Sequence, residues 1–90
     1  IEGKIKRTYN AMNMRVTGHT DFAHLYEGKS ICSREEFIQW ALNDPEFKLL
    51  FDAWTDSGYV FKLSPSIDRI DSDKGYDMDN MQWLTVSVKM

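Results

Sequence analysis

The chain has little cysteine and no long apolar segment, and each scarcity excludes a class of protein. Its one cysteine, Cys32, excludes an internal disulfide framework and a zinc site built from several cysteines. Because no disulfide needs protection, a reducing cytoplasm is the expected compartment. No apolar run approaches the roughly 20 residues of a membrane span, so no membrane partner is expected. The opening residues include Glu2 and Lys4 and do not resemble a signal peptide.

The sequence also lacks the motifs of several enzyme classes. It has no serine–histidine–aspartate arrangement, no phosphate-cradling glycine loop and no dinucleotide fingerprint, so no organic cofactor is expected. It shows no internal repeat and no low-complexity segment. What it does have is 42% hydrophobic and 13% aromatic residues in a length of 90. This composition predicts one small domain with a single core.

Charge is distributed unevenly along the chain, although the net charge is only −3. Residues 1–16 carry four basic side chains against one acid, Glu2. Residues 68–80 carry five aspartates against Arg69 and Lys74. The net negative charge argues against a nonspecific nucleic-acid coat protein, but a local basic face would still meet phosphate.

Apolar spacing predicts three helices before Gly58, a natural helix stop. The first covers residues 4–16, with a buried face of Ile5, Tyr9, Met12 and Val16. Ser33 and Glu36 form the pattern of a capping box at the start of the second. An aspartate followed by Pro45 predicts the start of the third. Its apolar stripe is expected to be Phe47, Leu50, Phe51 and Trp54.

After residue 58 the pattern predicts extended chain. Residues 59–63 and 66–70 are predicted to be extended, with a bend at Pro65 between them. Residues 71–80 form a polar loop, residues 81–84 form a second strand, and Thr85 is expected to cap a short final helix. We therefore predict a small α+β fold as one domain. In it, the helical region of residues 1–58 packs on a β-hairpin within residues 59–90.

Asp68, Asp71 and Asn80 are the candidate metal-binding residues. A strand, a polar loop and a returning strand are expected to bring these three together. Carboxylate and amide oxygens are hard ligands that suit Mg²⁺ or Mn²⁺. Such an ion can polarise a phosphodiester and stabilise the leaving oxygen.

The polar loop of residues 71–80, which we call the acidic loop, has two other interpretations at this point. The aspartates and the asparagine are also typical of a polar turn in which side chains cap backbone groups. A calcium-binding EF-hand loop is the other, but it needs glycine at its sixth position and glutamate at its twelfth. Counted from Asp71, those positions hold Tyr76 and Gln82, so the calcium pattern fails.

The same segment resembles the HNH-type, ββα-metal nucleases encoded by phages and mobile elements. It is most similar to a subgroup in which the usual Asp-His pair reads Asp-Arg. The motifs that carry the resemblance are Asp68-Arg69-Ile70-Asp71, Lys74-Gly75-Tyr76 and Asn80-Met81-Gln82-Trp83. Weaker upstream matches are Met14-Arg15, Tyr26-Glu27-Gly28-Lys29-Ser30-Ile31-Cys32, Phe37 and Trp40. The resemblance covers most of the chain, from about residue 9 to residue 85.

The resemblance implies a role for each matching residue. Asp68 matches the metal-binding acid, and Asn80 matches an asparagine that binds the metal or fixes the loop. Arg69 stands where better-known members have the histidine general base. Because arginine stays protonated, it is expected to hold the scissile phosphate, with Asp71 or a water on the ion acting as the base. The final helix of the HNH-like core is expected to be truncated, so any ligand that the family carries there is missing from this chain.

The resemblance therefore predicts Mg²⁺- or Mn²⁺-dependent cleavage or nicking of DNA in the cytoplasm of a bacterial host cell. His24 is an outside candidate for a displaced general base. The basic residues expected to position the DNA backbone are Lys4, Lys6, Arg7, Arg15, Lys29 and Lys74. The alternative function is a catalytically inactive module that binds DNA or inhibits a host protein with its acidic loop. A third interpretation is a fragment of a longer nuclease.

Overall fold

In a computed structural model, which describes residues 1–18 and 28–89, three helices precede a two-stranded antiparallel hairpin. The helices are α1 (Glu2–Val16), α2 (Arg34–Leu42), α3 (Pro45–Asp56) and the single turn α4 (Val86–Lys89). The strands are β1 (Pro65–Arg69) and β2 (Met81–Thr85), and a 3₁₀ turn (Phe61–Leu63) precedes β1. The predicted α+β class, with helices against a hairpin, is confirmed. Across the described residues, no helix combines the length and apolar character that crossing a membrane requires.

Local sequence signals begin and end the helices as predicted. The Ser33 hydroxyl accepts a hydrogen bond from Glu36 N at 3.2 Å, and the Glu36 carboxylate accepts one from Ser33 N at 3.4 Å, which completes the capping box. Asp44 caps α3 by accepting from Glu46 N at 3.0 Å, just before Pro45. Near the end of that helix, Gly58 has a φ of +79°, which glycine adopts without a Cβ clash.

The core is built around Trp83 of β2. Its ring centroid lies 4.4 Å from that of Phe47 on α3 and 5.9 Å from that of Phe37 on α2. In the hairpin, Trp83 is the direct partner of Ile67, and both side chains are buried. Helix α1 contributes the four buried residues that its spacing predicted, Ile5, Tyr9, Met12 and Val16. The core therefore joins all three long helices to one face of the hairpin.

The prediction of extended chain at residues 59–63 is wrong. This segment contains the 3₁₀ turn, and Tyr59 before it has a φ of +66°. Two successive residues of positive φ, Gly58 and Tyr59, reverse the chain after α3. Ser57 Oγ then accepts from Val60 N at 3.2 Å, which holds the reversal.

Smaller corrections concern element ends and burial. Pro65 is the first residue of β1 rather than a bend before it, a strand position that tolerates a missing N–H. Thr85 ends β2, where it pairs with Pro65, and it also directly precedes α4, with its hydroxyl 3.0 Å from the Ser87 hydroxyl. On α3 only Phe47 is fully buried. The other members of its predicted stripe, Leu50, Phe51 and Trp54, are half-buried because they lie at the margin of the core.

Candidate functional site

The two faces of the hairpin separate the core from the candidate site. Side chains alternate along a strand, so Asp68 points away from the core face that carries Ile67. Its cross-strand partner is Gln82, whose Nε2 donates to Asp68 Oδ2 at 3.1 Å. No other hydrogen bond reaches this carboxylate from the part of the chain that the structure describes. Asp68 therefore has a half-buried carboxylate whose remaining lone pairs can accept further hydrogen bonds or bind a cation.

The side chain of Asn80 is buried and makes hydrogen bonds to the backbone of the loop of residues 71–80. It is 4% exposed, and its side-chain oxygen accepts from Asp71 N at 2.8 Å. Its amide donates to Asp71 O at 3.0 Å and to Gly75 O at 2.8 Å. The loop-fixing role that the resemblance offered for Asn80 is therefore visible in its contacts. Its role as a metal ligand stays a prediction.

Asp71 is exposed at the start of this loop. Its Oδ1 accepts from Asp73 N at 3.0 Å, which is the geometry of a turn capped by an aspartate side chain. The polar-turn interpretation of the sequence is thus present in the fold. Asn80 bonds to the backbone of Asp71, so two of the three candidate residues come together, whereas Asp68 pairs with β2.

Arg69, at the end of β1, also supports the loop. Its Nη1 donates to Ser72 O at 2.9 Å and to Lys74 O at 3.0 Å. The centre of the guanidinium group lies 5.9 Å from the centroid of the Tyr76 ring, within the range of a cation–π contact. The residue at the expected base position is therefore a cation that ties the loop to the strand.

A second segment fixes the loop from outside. Tyr76 N donates to Ser30 O, and Cys32 N donates to Tyr76 O, each at 2.8 Å, which makes the parallel bridge between Ile31 and Tyr76. Gly75 fits here because a Cβ on it would lie 2.6 Å from Ser30 N and closer still to Ser30 O. The backbone of residues 30–32 therefore lies against the acidic loop.

Three of the six predicted DNA-binding residues line one cavity. Lys4, Arg7 and Arg15 of α1 face β1 across a cavity of about 540 Å³, which we call the basic groove. The other three lie elsewhere. Lys6 is 3.9 Å from Glu2 in an ion pair, while Lys29 donates to Asp73 O at 3.1 Å on the acidic loop. Lys74 is exposed on that loop.

The electrostatics of the basic groove show in Lys4. Its Nζ donates to Ser64 Oγ at 2.8 Å and lies 4.9 Å from the centroid of a Trp54 ring. Burial lowers the pKa of Lys4, and the positive charge of Arg7 lowers it further. An anion in the groove would reduce the repulsion between these two cations.

Sequence reasoning missed Gln82 as a neighbour of the candidate site. The sequence assigned it no role at the site, yet it makes the hydrogen bond to Asp68. The signal was present in the alternation of β2, where Met81 and Trp83 point inward and Gln82 outward. The register that pairs it with Asp68 is set by the loop, which local pattern does not reveal.

Some predicted features lie outside the described residues. These are His24 and the upstream matches Tyr26 and Glu27. Over residues 1–18 and 28–89, no cluster of three or more histidine, cysteine, aspartate or glutamate side chains has the arrangement of a metal site. Comparisons with protein-family models, with curated proteins and with solved structures found no match to this chain.

Proposed function

We propose that this chain is an HNH-like endonuclease domain that cleaves or nicks DNA phosphodiester bonds with the help of Mg²⁺ or Mn²⁺. The observation that carries the proposal is the setting of the Asp68 carboxylate. It lies on the hairpin face opposite the aromatic core, and its hydrogen bond comes from the Gln82 amide. A carboxylate in this setting is able to share an ion with solvent and with substrate phosphate oxygens.

The oxygen atoms of the candidate residues have the chemistry that suits the ion implied by the resemblance. Proteins usually hold Mg²⁺ with one or two carboxylates, and water and substrate phosphates complete its shell. Asp68 would be the direct ligand, and the resemblance implies that the Asn80 side-chain oxygen, which accepts from Asp71 N, would be a further ligand. When bound, the ion supplies polarisation of the phosphodiester and stabilisation of the leaving oxygen.

The remaining roles follow from charge. Arg69 is always protonated, so it attracts the scissile phosphate and does not take a proton. Asp71 is exposed, and its Oδ1 bonds to Asp73 N. Its second carboxylate oxygen is the group that we assign to accept the proton of the attacking water.

Supercoiled-plasmid cleavage in Mg²⁺, in Mn²⁺ and in EDTA tests this function. We expect nicking in either metal, none in EDTA, and none from Asp68→Ala. Asp79→Ala is the matched control, because Asp79 is an exposed aspartate of the loop that follows β1, and this variant should keep the wild-type activity. A folded protein that cleaves in neither metal, or an Asp68→Ala variant that cleaves normally, would contradict the proposal.

Arg69 favours a second candidate, a binding module that shares the fold and lacks catalysis. The group at the expected base position cannot take a proton, and it bonds to the carbonyls of Ser72 and Lys74. Such a module would bind DNA, or would inhibit a host protein by presenting its acidic loop in place of phosphate. Salt-sensitive DNA binding without cleavage would favour the first, and no DNA binding at all would favour the second.

A further inference from the structure

The basic groove combines positive charge with an exposed aromatic ring, and the candidate nuclease site does not include it. Three cations of α1 line it, and Phe61 of the 3₁₀ turn lines it from the other side. None of the described residues that line it is acidic. Three of the eleven basic residues of this chain therefore line one cavity together with a phenyl ring.

Phe61 is unusually open for a phenylalanine. It is 72% exposed, the highest value among the large apolar side chains of the described residues. A single exposed apolar residue needs no explanation by itself. Here the ring lies in the same cavity as Lys4 and Arg7, which is the combination found in proteins that bind single-stranded nucleic acid.

We propose that the basic groove binds an unpaired stretch of DNA, with phosphates beside Lys4 and Arg7 and one base stacked on Phe61. This inference rests on the proposed function only for the identity of the ligand as DNA. Phosphates supply the negative charge that the groove lacks, and every base has a π-face that stacks on a phenyl ring whatever the sequence.

An unpaired strand fits better than a duplex for two reasons. Bases in a duplex are already stacked on each other, so their faces are not offered to Phe61. The cavity, of about 540 Å³, has the size of pockets that take single small molecules of roughly nucleotide size. An intact double helix is too wide to enter such a space, whereas one backbone with its base can.

The groove also leads toward the candidate nuclease site. Ser66 of β1 lines the groove. Asp68 lies two residues further along the same strand and on the same face, which is a distance of about 7 Å. A strand bound in the groove would therefore be directed to the carboxylate that we propose as the metal ligand.

Electrostatic repulsion inside the groove favours an anion. Arg7 makes no hydrogen bond or ion pair with another described residue, and its charge acts on Lys4, three residues earlier on the same helix. A phosphate between the two side chains would replace this repulsion with two attractions.

Fluorescence anisotropy of a labelled oligo-dT against a duplex of equal length, both in EDTA, tests the inference without cleavage. We expect the wild type to bind the single strand more tightly than the duplex. Phe61→Ala should weaken single-strand binding by about 5- to 150-fold, the usual loss of one base–aromatic stack. Arg7→Ala should reduce the slope of log K against log salt by about 0.7.

Matched variants distinguish loss of the aromatic ring from loss of apolar area, and loss of charge in the groove from loss of charge elsewhere. Phe61→Tyr keeps a ring and should bind like the wild type, whereas Phe61→Leu keeps apolar area without a ring and should lose binding as Phe61→Ala does. Lys48→Ala removes an equal charge outside the groove, from an exposed residue of α3 that pairs with Asp52, so its salt slope should stay unchanged. Phe61 and Arg7 are both exposed, so these variants are expected to fold.

Several results would overturn the inference. These are tighter binding of the duplex, equal binding by Phe61→Ala and the wild type, or an equal effect of Lys48→Ala and Arg7→Ala. Binding of an acidic peptide in place of oligo-dT, with the same dependence on Arg7, would assign the groove to a protein partner. Because binding is measured in EDTA, loss of nicking in Asp68→Ala with intact strand binding reports on the nuclease site and not on the groove.

Discussion

At the scale of a single residue, Cys32 shows how position controls chemistry. Burial, followed by the negative charges of Glu36 and Asp77, raises the pKa of its thiol from 9.0 to about 11. The thiolate is the reactive form, so we expect Cys32 to react slowly with iodoacetamide at neutral pH. The dependence of the alkylation rate on pH measures the pKa directly, and denaturant should restore the rate of an ordinary thiol. A native pKa at or below 9.0 would contradict this prediction.

The same shift predicts the direction of a pH effect on stability. A group whose pKa is higher in the folded state stabilises the fold while it is protonated. The contribution of Cys32 is complete below pH 9.0 and is lost as the pH rises toward about 11. The free energy of unfolding of the wild type should therefore fall more steeply over this interval than that of Cys32→Ala.

At the scale of elements, the loop between the strands depends on one amide. Asn80→Ala removes three hydrogen bonds and leaves the buried Gly75 carbonyl without its donor. We expect the free energy of unfolding to fall by about 1–3 kcal/mol, the usual penalty for an orphaned buried polar group. Urea denaturation measures this change. Asp79→Ala, an exposed substitution in the same loop, should change stability by less than about 0.5 kcal/mol.

This comparison also separates the two roles of Asn80. Unchanged stability of Asn80→Ala together with lost metal-dependent nicking would assign the side chain to the ion and not to the loop. Reduced stability, with nicking that recovers at lower temperature, would assign it to the loop.

Among the elements, local signals were sufficient for the helices and insufficient for residues 59–63. The side chains of Ser33 and Glu36 each accept a hydrogen bond from the backbone N–H of the other residue. Because both residues lie within four positions of the chain, the capping box could be predicted from sequence. Residues 59–63 have the composition of a strand, but a strand needs a partner. The chain reversal at Gly58 and Tyr59 turns this segment away from the hairpin. The pattern of polar and apolar residues does not predict this reversal.

At the scale of the whole molecule, Trp83 joins the helices to the hairpin. It lies within aromatic contact of Phe37 and Phe47, and it is 2% exposed. Trp83→Ala should cost about 3–5 kcal/mol, which approaches the total stability of a small domain. The loss of near-ultraviolet circular dichroism and of a cooperative urea transition would show it.

A conservative variant makes this prediction sharper. Trp83 Nε1 has no hydrogen-bond partner among the described residues, so Trp83→Phe removes an unsatisfied N–H as well as volume. We expect Trp83→Phe to remain folded and to be more stable than Trp83→Ala. Leu49→Ala, at a residue that is 67% exposed, should keep the wild-type midpoint. A normal urea midpoint for Trp83→Ala would show that the core does not depend on this ring.

The sequence by itself determined the α+β class, the three helix positions, the buried face of α1 and the loop that carries the candidate residues. These follow from periodicity and capping, which act over a few residues. Only the tertiary structure decided that Gln82 is the partner of Asp68, that Asn80 is enclosed by loop backbone and that Lys4, Arg7 and Phe61 share a groove. Those relations join residues that are distant along the chain, and strand register and helix docking set them through packing of the whole core.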